Sequence, residues 1–138
     1  TSFLRTEVDD FFQVDYVKDL TIVAVVGDPG FEKIIAVGGY FLDQAKNLAE
    51  VAFSTLREWQ GFGLNTEIIK KLAHAARENG ISGLDAYTAP GNQGMIKLFR
   101  KLPYKTRTSF DGEFLKLTCR FDEPLDKSAT PAGPADEE

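Results

Sequence analysis

The run Trp59-Gln60-Gly61-Phe62-Gly63-Leu64-Asn65-Thr66 joins an apolar, strand-like segment, Ala49 to Ser54, to a long amphipathic helix, Leu64 to Asn79. That junction constrains the fold more than any other stretch. With the strand-like run Ile81 to Thr88 that follows, it makes one βαβ crossover, which should be right-handed. The two glycines leave backbone N–H groups uncovered by side chains. The first helical turn adds unpaired N–H groups and the positive end of the helix dipole. A phosphate or pyrophosphate is what such an arrangement holds well. The loop is not a Walker P-loop, because no Gly-Lys-Ser/Thr follows. It is not a dinucleotide fingerprint, because the third small residue is missing and no acidic residue ends a second parallel strand at the usual spacing. On these residues alone, a plain glycine turn before a helix stands beside the phosphate loop as an alternative.

Around the junction the chain alternates apolar runs with turn signals. Leu4, Val8, Phe11 and Phe12 share one helical face, and the spacing predicts an amphipathic helix over Ser2 to Gln13. Leu20 to Val26 is β-branched and apolar and predicts a buried strand. Asp28-Pro29-Gly30 marks a turn, Lys33 to Leu42 the next strand, and Gln44 to Asn47 a second turn. In the helix, Leu64, Ile68, Leu72, Ala75 and Ala76 form one stripe, with Glu67, Lys70, Lys71, His74 and Glu78 largely opposite. Asn79-Gly80 stops it. Asn92 opens a second helix carrying Met95, Ile96, Leu98, Phe99 and Leu102, and Pro103 ends it. Lys105 to Phe110 and Glu113 to Phe121 flank Asp111-Gly112, a hairpin signal. The order helix–β–β–β–α–β–α–β–β predicts an α/β domain over residues 1–121, a mixed sheet of about six strands with helices on both faces. The phosphate loop falls at the carboxyl end of a strand, where ligands of open α/β sheets bind. After Phe121 the chain turns to Pro124, Pro131, Pro134, small residues and acids, and residues 122–138 read as a disordered tail with too little apolar area to offset its ordering entropy.

Charge and composition narrow the partners. The chain has 138 residues, 43% hydrophobic and 12% aromatic, enough for one domain with a real core. A net charge of −5 argues against general binding to nucleic acid or an anionic membrane. A phosphorylated ligand must then be held by local amides and a few local cations. With one cysteine, Cys119, and one histidine, His74, a zinc site is not expected. Cys119 reads as a small core residue and His74 as a solvated one. No apolar run reaches the roughly 18 residues of a membrane span, and no signal peptide is visible, so the expected location is the cytoplasm.

A second motif completes the loop. Gln60-Gly61-Phe62-Gly63-Leu64-Asn65 resembles the pyrophosphate signature Q/R-x-x-G-x-G/A of the GNAT superfamily of N-acetyltransferases in all but its last place. About thirty residues on, Asn92-Gln93-Gly94-Met95-Ile96-Lys97-Leu98-Phe99-Arg100-Lys101-Leu102-Pro103-Tyr104 is similar to that family's N-x-x-A-x-x-L-Y-x-K-L-G-F segment. The resemblance covers most of Leu20 to Phe121. Within the superfamily, Ala49-Glu50-Val51-Ala52-Phe53 followed by Trp59-Gln60-Gly61, with Val14-Asp15-Tyr16 upstream, is similar to bacterial protein-lysine acetyltransferases of the Pat type. Related domains are fused to acyl-CoA synthetase or acetyl-CoA hydrolase modules. Such domains usually begin with a strand and a helix that this chain lacks, so it is expected to be part of a longer multidomain polypeptide.

The resemblance implies acetyl-CoA as cosubstrate, with Gln60, Gly61, Phe62, Gly63, Leu64, Asn65 and Thr66 at its pyrophosphate. It implies Phe53, Ser54 and Thr55 along the pantetheine arm, as if the arm added a strand, and Asn92 near the thioester. It puts Glu50 in the place of the general base. The chemistry suits that role, since a lysine amine of pKa about 10.4 must lose a proton before it attacks a thioester. A carboxylate partly buried between strands, its pKa raised by desolvation, can accept the proton; an outward Glu on a solvated face is the plainer alternative. The implied acceptor is a protein lysine or a small amine, and an acyl-CoA-sensing module without transfer is a third possibility. Phe62 stands where a basic residue is common, Asn65 where Gly or Ala is, and Phe99 where many members carry a Tyr that protonates the leaving thiolate. Arg57, Lys97, Arg100 and Lys101 are the candidates for a 3′-phosphate.

Overall fold

A computed structural model describes residues 10–15 and 19–125. Seven strands form one sheet in the order β1-β2-β3-β4-β5-β7-β6. They are β1 Asp10–Asp15, β2 Asp19–Val26, β3 Lys33–Asp43, β4 Leu48–Thr55, β5 Gly83–Thr88, β6 Arg107–Asp111 and β7 Phe114–Arg120. Two helices, α1 Leu64–Glu78 and α2 Gln93–Phe99, complete the fold. The first four strands are an antiparallel meander, β4 and β5 are parallel, and β5, β7 and β6 are again antiparallel. The sheet is mixed, as the element order implies, and its one parallel pair is the crossover through α1.

The core lies on one face. Leu20, Ile22 and Ala24 of β2 alternate inward, in register with Tyr40, Gly38 and Ala36 of β3 and then with Val51, Phe53 and Thr55 of β4. On α1, Leu64, Ile68, Ile69, Leu72, Ala73 and Ala76 are buried, a stripe at helical spacing that covers those strands. Gly38 is required there, because a Cβ would run into the Ile68 side chain. Leu98 and Phe99 of α2 join the same core beside Leu115, Leu117 and Cys119 of β7. Asn79 ends α1 with its amide side chain donating to the hydroxyl of buried Tyr40 at 3.2 Å. Helices were expected on both faces; among the described residues both lie on this one, because the buried stripes of α1 and α2 meet the same set of inward strand residues.

Two further expectations change. Asp10 to Gln13, expected as the end of a helix, belong to β1, whose Phe11 pairs with Ala24 and Phe12 with Val23. The apolar spacing there fits a helix, but a free sheet edge beside Phe-Phe-x-Val offers a ladder that outweighs local period. Residues 2–9 of that expected helix lie outside the described residues. The boundary at Phe121 also moves. Lys105 N–H donates to Glu123 C=O at 2.9 Å and Leu125 N–H to Pro103 C=O at 3.2 Å. Arg107 grips the Glu123 carboxylate through Nε and Nη2, each at 2.9 Å. Composition alone could not show these long-range pairings. The rest of the expected tail, residues 126–138, lies outside the described residues.

Candidate functional site

The parallel pair β4–β5 parts early. Only Leu48↔Gly83, Ala49↔Leu84 and Glu50↔Asp85 are in register. Beyond Glu50, β4 runs on to Thr55 and β5 to Thr88 without pairing to each other. Val51 to Thr55 remain bonded to β3 on their other side. Among the described residues no strand pairs with the edge of β4 facing β5 beyond Glu50, so this edge lines a cleft, a ready partner for an extended chain.

The glycine loop closes over the same end of the sheet. Gly61 and Gly63 adopt φ of 86° and 81°, the left-handed region that Gly enters without a Cβ penalty. Neither has an atom within 4 Å of where a Cβ would stand, so backbone conformation, not crowding, requires the glycines. Gly63 caps α1 with no side-chain hydrogen bond. The helical ladder begins with Glu67 N–H donating to Gly63 C=O at 3.2 Å. Among the described residues, the amides of Gly61 through Thr66 donate to no carbonyl. These are the free donors an anion needs at a helix N-terminus.

Several predicted side chains turn out to build the loop. Thr55 Oγ1 donates to Asn65 Oδ1 at 2.8 Å, pinning the end of β4 to the first turn of α1. Gln60 Nε2 donates to Thr55 C=O at 3.3 Å. Leu64 is 5% exposed and its side chain is core, which leaves only its amide for a ligand. Phe62 packs on Trp59, ring centroids 5.8 Å apart, and stays about half exposed. Phe53 is half-buried against the core, while Ser54 is exposed. Asn92 caps α2: its Oδ1 accepts from Met95 N–H at 3.1 Å and its Nδ2 donates to Thr88 Oγ1 at 2.7 Å. Arg57, Lys97, Arg100 and Lys101 are all exposed.

Glu50 differs from expectation. It is exposed, not partly buried. Ala49, Val51 and Phe53 take the face under α1, so strand alternation sends Glu50, Ala52 and Ser54 to the open face. It stands at the last register pair before the cleft opens. Its partner there, Asp85, is a buried carboxylate beside the cleft that sequence reasoning passed over. Asp85 is 4% exposed and the one buried charged residue among those described. Burial pushes its carboxyl above the usual carboxylate range, against the pull of Lys116 and then Lys46. The signal was available, since Asp85 interrupts the apolar run Gly83-Leu84-Asp85-Ala86 just as Glu50 interrupts its own. Cys119 is fully buried, and desolvation lifts its thiol to about 11, which leaves no thiolate for nucleophilic work at neutral pH. Phe99 is 0% exposed, so no hydroxyl reaches the cleft from that position. No helix among the described residues is long and apolar enough to cross a membrane.

Comparison with known proteins identifies the family and the fold. The model of the acetyltransferase (GNAT) family matches residues 2–104. A curated acetyltransferase of Pseudomonas aeruginosa is 24% identical over 91 residues, 66% of this chain and 49% of the relative, so the chain spans about half the relative's length. Among solved structures, the GNAT domain of the Streptomyces lividans protein PAT superposes with a TM-score of 0.65 at 28% identity, over 78% of this chain and 64% of that one. A cAMP-binding acyltransferase from Mycobacterium smegmatis gives 0.64 at 19% identity, over 90% of this chain but 36% of its own. An acetyltransferase from Bacillus anthracis, solved in complex with acetyl coenzyme A, gives 0.61 at 13% identity, over 82% and 66%.

Proposed function

Because the chain belongs to the acetyltransferase (GNAT) family, we propose that it is an acetyl-CoA-dependent N-acetyltransferase whose acceptor is a primary amine, foremost a protein lysine. The observation that carries this is the coincidence at one end of the sheet of three things. They are the free edge of β4, the unpaired amides of the Gly61–Thr66 loop, and a carboxylate, Glu50, at the point where β4 and β5 separate.

In this reading the amides of Phe62, Gly63, Asn65 and Thr66 hold the pyrophosphate of acetyl-CoA, helped by the dipole of α1. The pantetheine arm pairs with the backbone of β4 at Phe53 to Thr55, which brings the thioester to the neighbourhood of Glu50. Glu50, exposed and so in contact with water, takes a proton from the incoming ammonium directly or through one water. The free amine attacks the thioester carbon, a C–N bond forms, the C–S bond breaks, and the proton that the nitrogen sheds passes through water to the thiolate. Backbone amides near Phe53 stabilise the oxyanion. The Pat-type likeness favours a lysine on a protein over a free polyamine; both present the same ammonium to Glu50. The proposed location of this chemistry is the cytoplasm.

One observation favours a second reading, a module that binds acyl-CoA without transferring it. Phe99 is core, and the cleft lacks a hydroxyl there to protonate the leaving thiolate. Thiol release on mixing acetyl-CoA with a lysine peptide separates the two. Release that depends on the peptide supports the transferase. Calorimetric binding of acetyl-CoA with no release on peptides or polyamines supports the sensing module, and absence of binding removes both.

A further inference from the structure

The open face of the sheet carries a groove of about 260 Å³ beside Glu50, lined among others by Asp19, Thr21, Val37, Gly39, Phe41 and Ala52. Its floor is a cross-strand row, Thr21↔Gly39↔Ala52, of three short residues in register across β2, β3 and β4. Gly39 cannot carry more: a Cβ there would sit 2.6 Å from the carbonyl oxygen of Leu20, so the floor is kept low by the backbone itself. One wall is Val37. The other is the next row, Asp19↔Phe41↔Glu50, in which a phenyl ring stands between two carboxylates. Phe41 is 62% exposed, which leaves its ring face open to a ligand. At its β4 end the groove reaches Ala52, Phe53 and Ser54, which lie past the last β4–β5 pair and so border the cleft.

We propose that this groove is the acceptor channel, and that Phe41 and Ala52 seat the stem of an alkylammonium acceptor of the lysine type. The inference rests on the transferase reading above and extends it to the acceptor. Two strand spacings, roughly 10 Å, separate Thr21 from Ala52, room for an extended four-carbon stem. With one short-residue row flanked by Val37 and Phe41, the trough offers an alkyl chain a straight path across the three strands. The stem packs on the Phe41 face, as alkyl stems of cationic side chains do on apolar surface. At the β4 end the ammonium then meets the Glu50 carboxylate, where the cleft opens. Among the described residues neither Asp19 nor Glu50 is in an ion pair, while Lys46 and Lys116 act on Asp85 instead.

The test uses the whole chain with Nα-acetyl-lysine amide as probe and its Nε-acetylated form, which is uncharged, as control. In an NMR titration the cationic probe should move the amide signals of Thr21, Gly39 and Ala52, and the control should not. In kinetics, Ala52→Leu and Phe41→Ala should each raise KM for the probe about tenfold with KM for acetyl-CoA unchanged. Shifts that map elsewhere, or variants that leave the probe's KM within about twofold, overturn the channel. Groove shifts without any transfer leave the groove as an alkylammonium site and remove the transferase reading. Transfer that proceeds without groove shifts does the reverse.

Discussion

Glu50 and Asp85 show how one register pair gives two carboxylates different work. Both project from the same face of the sheet as in-register neighbours, but Glu50 reaches water while Asp85 is buried. Replacing Glu50 by Gln keeps shape and removes the base, so steady-state kinetics at neutral pH should show kcat reduced roughly 10²–10⁴-fold with acetyl-CoA binding intact. A full rate in that variant removes Glu50 from the mechanism. Asp85 is expected to act on stability. Its folded pKa is raised, so the fold favours the neutral acid. Stability from this group is complete below the unfolded value of about 3.9 and is lost as pH rises through the folded value. Asp85→Asn should therefore melt above the wild type at pH 7, with the gap closing toward pH 4 in a thermal scan. Glu50 was legible in the sequence as an acid in an apolar strand; its exposure was not, because which face of β4 meets a helix is decided by the register with β3.

At the scale of elements, the strand–loop–helix unit was the most legible part. Gly61 and Gly63, the start of α1 at Leu64 and the parallel return through β5 all follow from residue type and spacing. What spacing could not show is that Gln60 and Asn65 spend their side chains on Thr55, and that Asn92 is bound up as a cap. Such contacts are set by how β4, β5 and the helices meet. Gly63→Ala forces a side chain into φ of 81° and should cost about 1–2 kcal/mol in denaturant unfolding while weakening acetyl-CoA. Asn92→Ala should cost about 1 kcal/mol through the lost cap. Asn92→Asp keeps the oxygen that accepts from Met95 and should recover most of that loss. If it recovers stability but not KM for acetyl-CoA, the amide group also serves the cofactor.

For the whole molecule, the seven-stranded sheet with its cleft between β4 and β5 follows from a pattern of turns that the sequence displays. The exceptions are at both ends of the described chain. β1 was hidden because Leu4, Val8, Phe11 and Phe12 satisfy a helical period, and the pairing that overrides it comes from β2. The ties of Glu123 and Leu125 to Pro103, Lys105 and Arg107 join residues too far apart for local pattern to show. A ligand bound only by the folded state stabilises the whole, so acetyl-CoA at 100 times its Kd should add about 2.7 kcal/mol and raise the melting temperature in a concentration-dependent way. The most direct measurement is the electron density of the protein crystallised with acetyl-CoA. The pyrophosphate should lie on the amides of Phe62 to Thr66, the pantetheine along the free edge of β4, and the acetyl group beside Glu50. A molecule bound anywhere else, with the cleft between β4 and β5 empty, would contradict the account.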